Sequence, residues 1–459
     1  MRPTKAALAI VFAAILAGCG GNSGDPQPGA QINRVKFASQ VTFGDSLSDV
    51  GSYNVGPIKA LGGGKFTING NNTAVNPELT GKNWTELMAA QFQLPAPCAA
   101  QTGLDGDPAL GFAVPVTNHP ECFGYAQGGA RVTNPIGAGH KATGSAVGAL
   151  TVPVVTQVAN HLARVGGRFK GDEVVFVMAG GNDVLVSLGG LQAAATAAGT
   201  VAGKAAFTTG LATQLAGGAT NPATAAQAIA QAMANAAAQP GSTDALVVQA
   251  AVGAAVRAGY TAAASQAVYG PMVEKAQQDA AAAGAKAGAD YAAAQGPALV
   301  AALATAGAEL AALVKTQIVG NGANYVVVNN LPDVATTPSA LGKDAATRAL
   351  IDKMVQAFNA QLNATLAGEA KVLIVDVYAV SHDQATNPGP YGLTNVSEPA
   401  CDLKSAGNPL GSSLGCTAAS LKPGDVSHYS FADEVHPTPF NNLLLARYVS
   451  RSMVTKGWL

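Results

Sequence analysis

The sequence predicts an α/β protein whose parallel sheet is covered by helices on both faces, and three observations lead there. Short apolar runs rich in β-branched residues recur along the chain: Val41-Thr42-Phe43, Val174 to Met178, Tyr325 to Val328, and a fourth from Val372 to Val377. These runs are continuously apolar, as strands buried on both faces must be. Helical patterns separate them, which is how parallel strands are joined. In such sheets ligands bind beyond the carboxyl ends of the strands, so the turns after the first two strands are the first places to look for a site. With 48% hydrophobic and only 12% charged residues over 459, the chain can build a large core and is not globally disordered. A formal net charge of -1 gives no electrostatic footprint for nucleic acid or for a strongly anionic surface, so no nucleic-acid partner is expected.

In chain order, the N-terminus comes first. Arg2 and Lys5 precede an apolar run from Ala6 to Leu16, too short to span a bilayer, which reads as the h-region of a signal peptide. The run ends in Leu16-Ala17-Gly18-Cys19, which resembles a bacterial lipobox. That resemblance implies a signal over residues 1–19 and acylation of Cys19 as the first residue of the mature chain. With Gly20 where Asp would retain such a protein, it also implies export to the outer membrane, on its periplasmic or surface face. An ordinary cleaved signal with an incidental cysteine is the alternative. Residues 20–37 open with the Gly/Pro/Asn-rich stretch Gly20 to Gln31 and read as a flexible tether.

Apart from Cys19, four cysteines remain: Cys98, Cys122, Cys401 and Cys416. An even number in an exported chain favours disulfides, and the absence of CxxC spacing argues against zinc. The local pairing Cys98–Cys122 and Cys401–Cys416 closes the shortest loops, and the two other connectivities stay open. From about Leu188 to Gln295 alanine dominates, with Asn221-Pro222, Gln239-Pro240-Gly241 and Gly270-Pro271 as expected helix breaks. Charges recur inside it, from Lys204 to Asp290, which argues against a transmembrane span. The stretch about 188–296 therefore reads as a helical insertion, either a cap over the site or a spacer.

Four short segments carry chemistry. Gly44-Asp45-Ser46-Leu47-Ser48-Asp49 follows the first strand, where a serine opening a helix could expose its Oγ beside free backbone N–H groups. Taken alone, the tetrapeptide Gly-Asp-Ser-Leu also suits a plain Asp/Ser helix cap. Near the C-terminus, Asp433 and His436 are three apart, so the carboxylate can orient one imidazole nitrogen while the other faces a serine. Asp425 and His428 share that spacing, which by itself does not select the pair. Asn182 in Gly180-Gly181-Asn182-Asp183 can present an amide to an oxyanion at the end of the second strand, and the glycines of Tyr125 to Ala130 allow close backbone approach. Each of these last two also reads as an ordinary turn.

Together, in this order and with this local sequence, the segments resemble the blocks of the GDSL family of the SGNH-hydrolase superfamily. The last block extends over Tyr429 to Thr438, which selects His436 over His428. Asn329 to Asp333 and Phe358 to Leu362 resemble the family too. The resemblance covers roughly residues 38–187 and 297–457, leaving the Ala-rich stretch as this chain's own insertion in a hydrolase domain over 38–459. The chain departs from the family at Gly51-Ser52-Tyr53-Asn54, where Gly-Asn is usual, and at Gly124, where an Asn often opens the second block. These departures bear on whether Gly128 or Gly129 acts as a donor, and alignment on the family pattern selects Gly129.

What the resemblance implies is a three-layer α/β/α, flavodoxin-like fold and a serine carboxylic-ester hydrolase of the esterase/lipase kind. Ser46 would be the nucleophile, His436 the base and Asp433 the residue that orients it. The oxyanion would be held by the N–H groups of Ser46 and Gly129 and the amide of Asn182, with no metal and no cofactor. The substrate would be a small-molecule or lipid ester, and the expected state is a monomer held to the membrane by its lipid anchor. A glycan O-acetyl deacetylase of the same fold and a non-catalytic surface-binding lipoprotein are the competing readings, the second opposed by the intact Ser46, Asn182, Asp433 and His436. One further motif, Gly411-Ser412-Ser413-Leu414-Gly415, fits the G-x-S-x-G nucleophile elbow but lacks the preceding strand and following helix that motif requires. His119, His140, His161, His382 and His428 sit in no comparable context and read as structural.

Overall fold

A computed structural model describes residues 34–70 and 79–459. Cys19, the signal and most of the tether lie outside the described residues. In chain order, β1 (Gln40–Gly44) is followed by short α1 (Gly56–Ala60), then α2 (Trp84–Gln91) and an antiparallel hairpin of β2 (Gln101–Asp105) and β3 (Ala113–Asn118). Next come α3 (Val154–Arg164), β4 (Val174–Met178) and four helices: α4 (Gly181–Ala216), α5 (Pro222–Ala237), α6 (Asp244–Arg257) and α7 (Gln266–Leu313). The chain closes with β5 (Tyr325–Asn329), α8 (Pro338–Leu341), α9 (Ala345–Leu366), β6 (Val372–Val375), α10 (Val377–Thr386), β7 (Asn395–Pro399), β8 (Tyr429–Phe431) and α11 (Pro439–Lys456).

The central sheet is parallel, in the order β1-β4-β5-β6, with Val41 opposite Val175, Val175 opposite Val326 and Val326 opposite Val372. A further extended segment lies along the outer edge of β1. Thr42 N–H donates to the Phe123 carbonyl at 3.0 Å, Tyr125 N–H to the Thr42 carbonyl at 2.8 Å and Gln127 N–H to the Gly44 carbonyl at 3.1 Å. Counted by position in the chain, the order is then 2-1-3-4-5. Side chains alternate across the sheet because successive strand residues point to opposite faces. Val41, Phe43, Val175, Val177, Val326 and Val328 pack against α3, α7 and α9. Val174, Phe176, Met178 and Val327 pack against Trp84 and Met88 of α2 and against Ala446, Val449 and Met453 of α11. The result is three layers, α/β/α, with apolar residues on both faces of each strand as the runs predict.

The Ala-rich stretch folds as an arm. α4 leaves the end of β4 and runs 36 residues without a break, and α7 returns over 48 residues. Their axes come close because small residues line the contact: a Cβ on Gly199 would lie 2.7 Å from the Gly284 carbonyl oxygen. At the far end Leu211, Leu215, Ile229, Met233, Ala251 and Ala276 close a separate small core. Asn221 caps α5 as a break should, but Gly270-Pro271 does not divide the helices. Pro271 and Pro297 both lie inside α7, where each removes one backbone donor without ending so long a helix. By length and composition alone, Gly181–Ala216 and Gln266–Val319 could cross a membrane. One end of each, however, is built into the α/β core. Two disulfides, Cys98–Cys122 and Cys401–Cys416, span 24 and 15 residues with Cα–Cα distances of 5.0 and 6.2 Å, which settles the pairing as local.

Candidate active site

Ser46 stands immediately after β1, at the carboxyl edge of the sheet. The segment is a turn, not the start of a helix: Ser48 N–H donates to the Asp45 carbonyl at 3.1 Å and Leu47 N–H to Asp45 Oδ1 at 3.1 Å. Asp45 thus satisfies the donors a helix would have claimed, and the next helix begins only at Gly56. The N–H of Ser46 itself has no acceptor among the described residues.

His436 reaches this turn from the other end of the chain. Its Nε2 lies 2.8 Å from Ser46 Oγ, and its Nδ1 lies 2.9 Å from both carboxylate oxygens of Asp433. Asp433 is 5% exposed and accepts three backbone donors besides: Val435 N–H at 3.0 Å and His436 N–H at 2.9 Å on Oδ1, and Ser413 N–H at 2.8 Å on Oδ2. Burial alone would raise its pKa, but the His436 imidazole beside it and the Val435 N–H outweigh burial and hold it well below the usual carboxylate range. The pairing of Asp433 with His436 therefore has a built, not an incidental, geometry.

Opposite them lies the Gly-rich segment after the edge strand. Gly129 adopts φ +80°, and a Cβ there would lie 2.0 Å from the Ala138 carbonyl oxygen, so no larger residue fits. The N–H of Gly128 is committed to Asp49 Oδ2 at 2.9 Å, whereas that of Gly129 has no acceptor among the described residues. Between the two glycines, Gly129 is the one with a donor to offer. Asn182, in the first turn of α4, spends one amide hydrogen on the Ala130 carbonyl at 3.0 Å and lines the same cavity as Ser46, Gly129 and His436.

Two carboxylates to which sequence reasoning gave no role fix this arrangement. Asp49 accepts Gly51 N–H at 2.8 Å, Ser52 N–H at 2.7 Å and the Ser52 hydroxyl, as well as Gly128 N–H. Asp183 accepts Val132 N–H at 3.1 Å and Arg131 Nε at 2.8 Å. Together with Asn182 they clamp residues 128–132 from two sides, and burial pushes both carboxyls above their ordinary value. Both residues stand inside the quoted motifs, which was the only available signal. Beside Ser46, burial pushes the Asp45 carboxyl up to about 7, against the opposing pull of the Leu47 N–H and of His436.

The cavity over Ser46 has a volume of about 390 Å3, and its walls are largely apolar, with Leu47, Val147, Leu185, Val334, Leu414 and Val435 among them. The remaining candidates fall elsewhere. Ser413, at the centre of the G-x-S-x-G motif, opens a 3-10 turn, and its hydroxyl is fully buried with no partner among the described residues. His428 stacks on Phe440 at 4.1 Å, and His161 is buried beside Phe43 and Phe169, where burial and then Arg164 lower its pKa to about 4. His119 meets Thr102, His140 caps Ala142, and His382 pairs with Asp333 at 2.7 Å.

No family model matches the chain. It is similar to the GDSL esterase/lipase APG of Arabidopsis thaliana, 28% identical over 143 residues, which is 28% of this chain and 39% of that protein. The matched part therefore spans well under half of the relative.

Proposed function

We propose that the protein is a serine carboxylic-ester hydrolase of the GDSL type. The carrying observation is the hydrogen-bonded chain from Ser46 Oγ through His436 to Asp433, 2.8 and 2.9 Å long, facing the free N–H groups of Ser46 and Gly129 and the Asn182 amide. The 2-1-3-4-5 strand order supports the finer reading of a three-layer flavodoxin-like SGNH fold, whose ligand site lies where the order reverses.

In the reaction, Ser46 Oγ attacks the ester carbonyl while His436 Nε2 takes the hydroxyl proton. The carbonyl oxygen becomes an oxyanion within reach of the three donors. As the tetrahedral intermediate collapses, the C–O bond to the alcohol breaks and His436 returns its proton to the leaving alkoxide. Water, deprotonated by His436, then attacks the acyl-enzyme and releases the carboxylic acid and free Ser46. Asp433 holds the imidazole in the tautomer this sequence requires and stabilises the imidazolium.

The apolar cavity favours an acyl ester over an O-acetylated glycan, because a polyol would leave hydroxyls unpaired against Leu47, Val147, Leu185 and Leu414. A lipid anchor at Cys19 and an outer-membrane location complete the proposal. The test is a panel of p-nitrophenyl acetate, butyrate, octanoate and palmitate beside acetylated oligosaccharides. Turnover that favours acyl esters longer than acetate supports the reading, and cleavage confined to the acetylated sugars would overturn it.

A further inference from the structure

The loop closed by Cys401–Cys416 carries the motif that imitates a nucleophile elbow, and its serine hydroxyl has no hydrogen-bond partner among the described residues. Its backbone is engaged: Ser413 N–H donates to Asp433 Oδ2 at 2.8 Å, among the described residues the one hydrogen-bond donor to that carboxylate from outside the segment Asp433–His436. The carbonyl of Ser413 is held as well: Asn69 Nδ2 donates to it at 2.9 Å. Just downstream, Gly64 N–H donates to the Leu414 carbonyl at 2.9 Å and Asn69 N–H to the Cys416 carbonyl at 2.8 Å. The segment that supplies these bonds also bears Phe66, whose ring lies 4.9 Å from the ring of His436. Loop and segment thus form one unit that touches both members of the acid–base pair. The disulfide pins it, with Cys401 and Cys416 fully buried against Ile68, Val426 and Ala432.

We infer that Ser413 is a positioning residue for catalysis, acting through its main-chain N–H on Asp433, and that the Cys401–Cys416 bond exists to keep that donor in place. The inference rests on the proposed Ser46-His436-Asp433 triad. Without the fourth donor the carboxylate has only its own turn to hold it and can rotate away from Nδ1. The imidazole then loses the orientation that proton transfer from Ser46 needs. The effect belongs to turnover, since the acyl group of a small ester does not reach Asp433.

Two variants test this by different routes. Cys401→Ser/Cys416→Ser releases the loop. Ser413→Pro keeps the disulfide but deletes the N–H, at a position that suits proline because Ser412 is extended (φ -148°, ψ 159°) and Ser413 opens a 3-10 turn. Each is made in wild type and in Asp433→Ala, and kcat for p-nitrophenyl acetate is expressed per serine labelled by a fluorophosphonate, so misfolded molecules drop out of the count. The expected result is a fall of about 10- to 100-fold in wild type, the range for one hydrogen bond to a charged group. In Asp433→Ala the same changes should cost less than about twofold, because groups acting as a unit are not additive. Unchanged kcat in wild type, or equal losses in both backgrounds, would overturn the inference. Ser46→Ala, run alongside, separates the failures: activity surviving there sinks the triad itself, whereas inactivity there with full turnover in the loop variants sinks only the role of Ser413.

Discussion

Asp45 and Asp433 lie on either side of the same Ser46-His436 contact and titrate in opposite directions. Burial acts on both, but Asp433 gathers three backbone donors and an imidazole, while Asp45 has the Leu47 N–H and a more distant His436. Between the ordinary carboxylate value and about 7, the folded chain keeps a proton on Asp45 that the unfolded chain has released. Stability therefore falls as pH rises through that window. Asp45→Asn cannot ionise and still accepts from Leu47, so its melting temperature should exceed that of wild type by more at about pH 8 than at about pH 4. A shift from 3.8 to about 7 corresponds to a gain on the order of 4 kcal/mol at the upper pH. A second prediction at this scale concerns Asn182. Asn182→Ala should lower kcat by about 10²–10³-fold with little change in KM, as loss of a donor that acts mainly in the transition state does. That Ser46, Asn182, Asp433 and His436 come together was legible in the sequence because each sits in an extended motif. Asp49 and Asp183 sit in the same motifs, yet their roles were not legible: what they hold, Gly128 and Val132, lies 79 and 51 residues away.

At the scale of elements, the runs of Val, Ile and Phe marked the strands of the central sheet because burial on both faces leaves no alternation to misread, although the fourth run overshoots: β6 ends at Val375, Asp376 caps α10 and Val377 opens it. The edge segment 123–127 was not legible as a strand: it bonds to β1 on one flank, only Gly124 is bridged on the other, by Ala99, and it contains Gly124 and Gln127. The expected break at Gly270-Pro271 failed for a different reason. A proline near the start of a long helix forfeits one bond, and the packing of α7 on α4 and α9 holds the rest. α4 joins two worlds: its first turn presents Asn182 to the cavity and its remainder builds the arm. The close approach at Gly199 and Gly284 makes a specific demand. Gly199→Leu should force α4 and α7 apart and destabilise the protein by about 1–3 kcal/mol, read as a lowered midpoint in urea. An unchanged midpoint would mean that the two helices are not held by that contact.

For the whole molecule, the layers follow from pattern, but the direction of the arm does not, because Ala-rich helices carry little information about which face packs. The arm is rooted at the cavity wall through Leu185 and at the sheet through Leu303 and Leu310. Attachment to a membrane is a separate proposal, resting on Cys19. Cys19→Ala should move the protein from the membrane fraction to the soluble one while the soluble form keeps esterase activity, and a variant that stays bound would contradict the anchor.

The measurement that tests the central claim most directly is covalent labelling of the wild-type protein with a fluorophosphonate, followed by peptide mapping. A nucleophile activated by His436 and Asp433 should carry the phosphonyl group on Ser46, at one label per chain, and Ser46→Ala should take up none. A label on Ser413 or another serine, or no label on a protein that cleaves esters, would contradict the account.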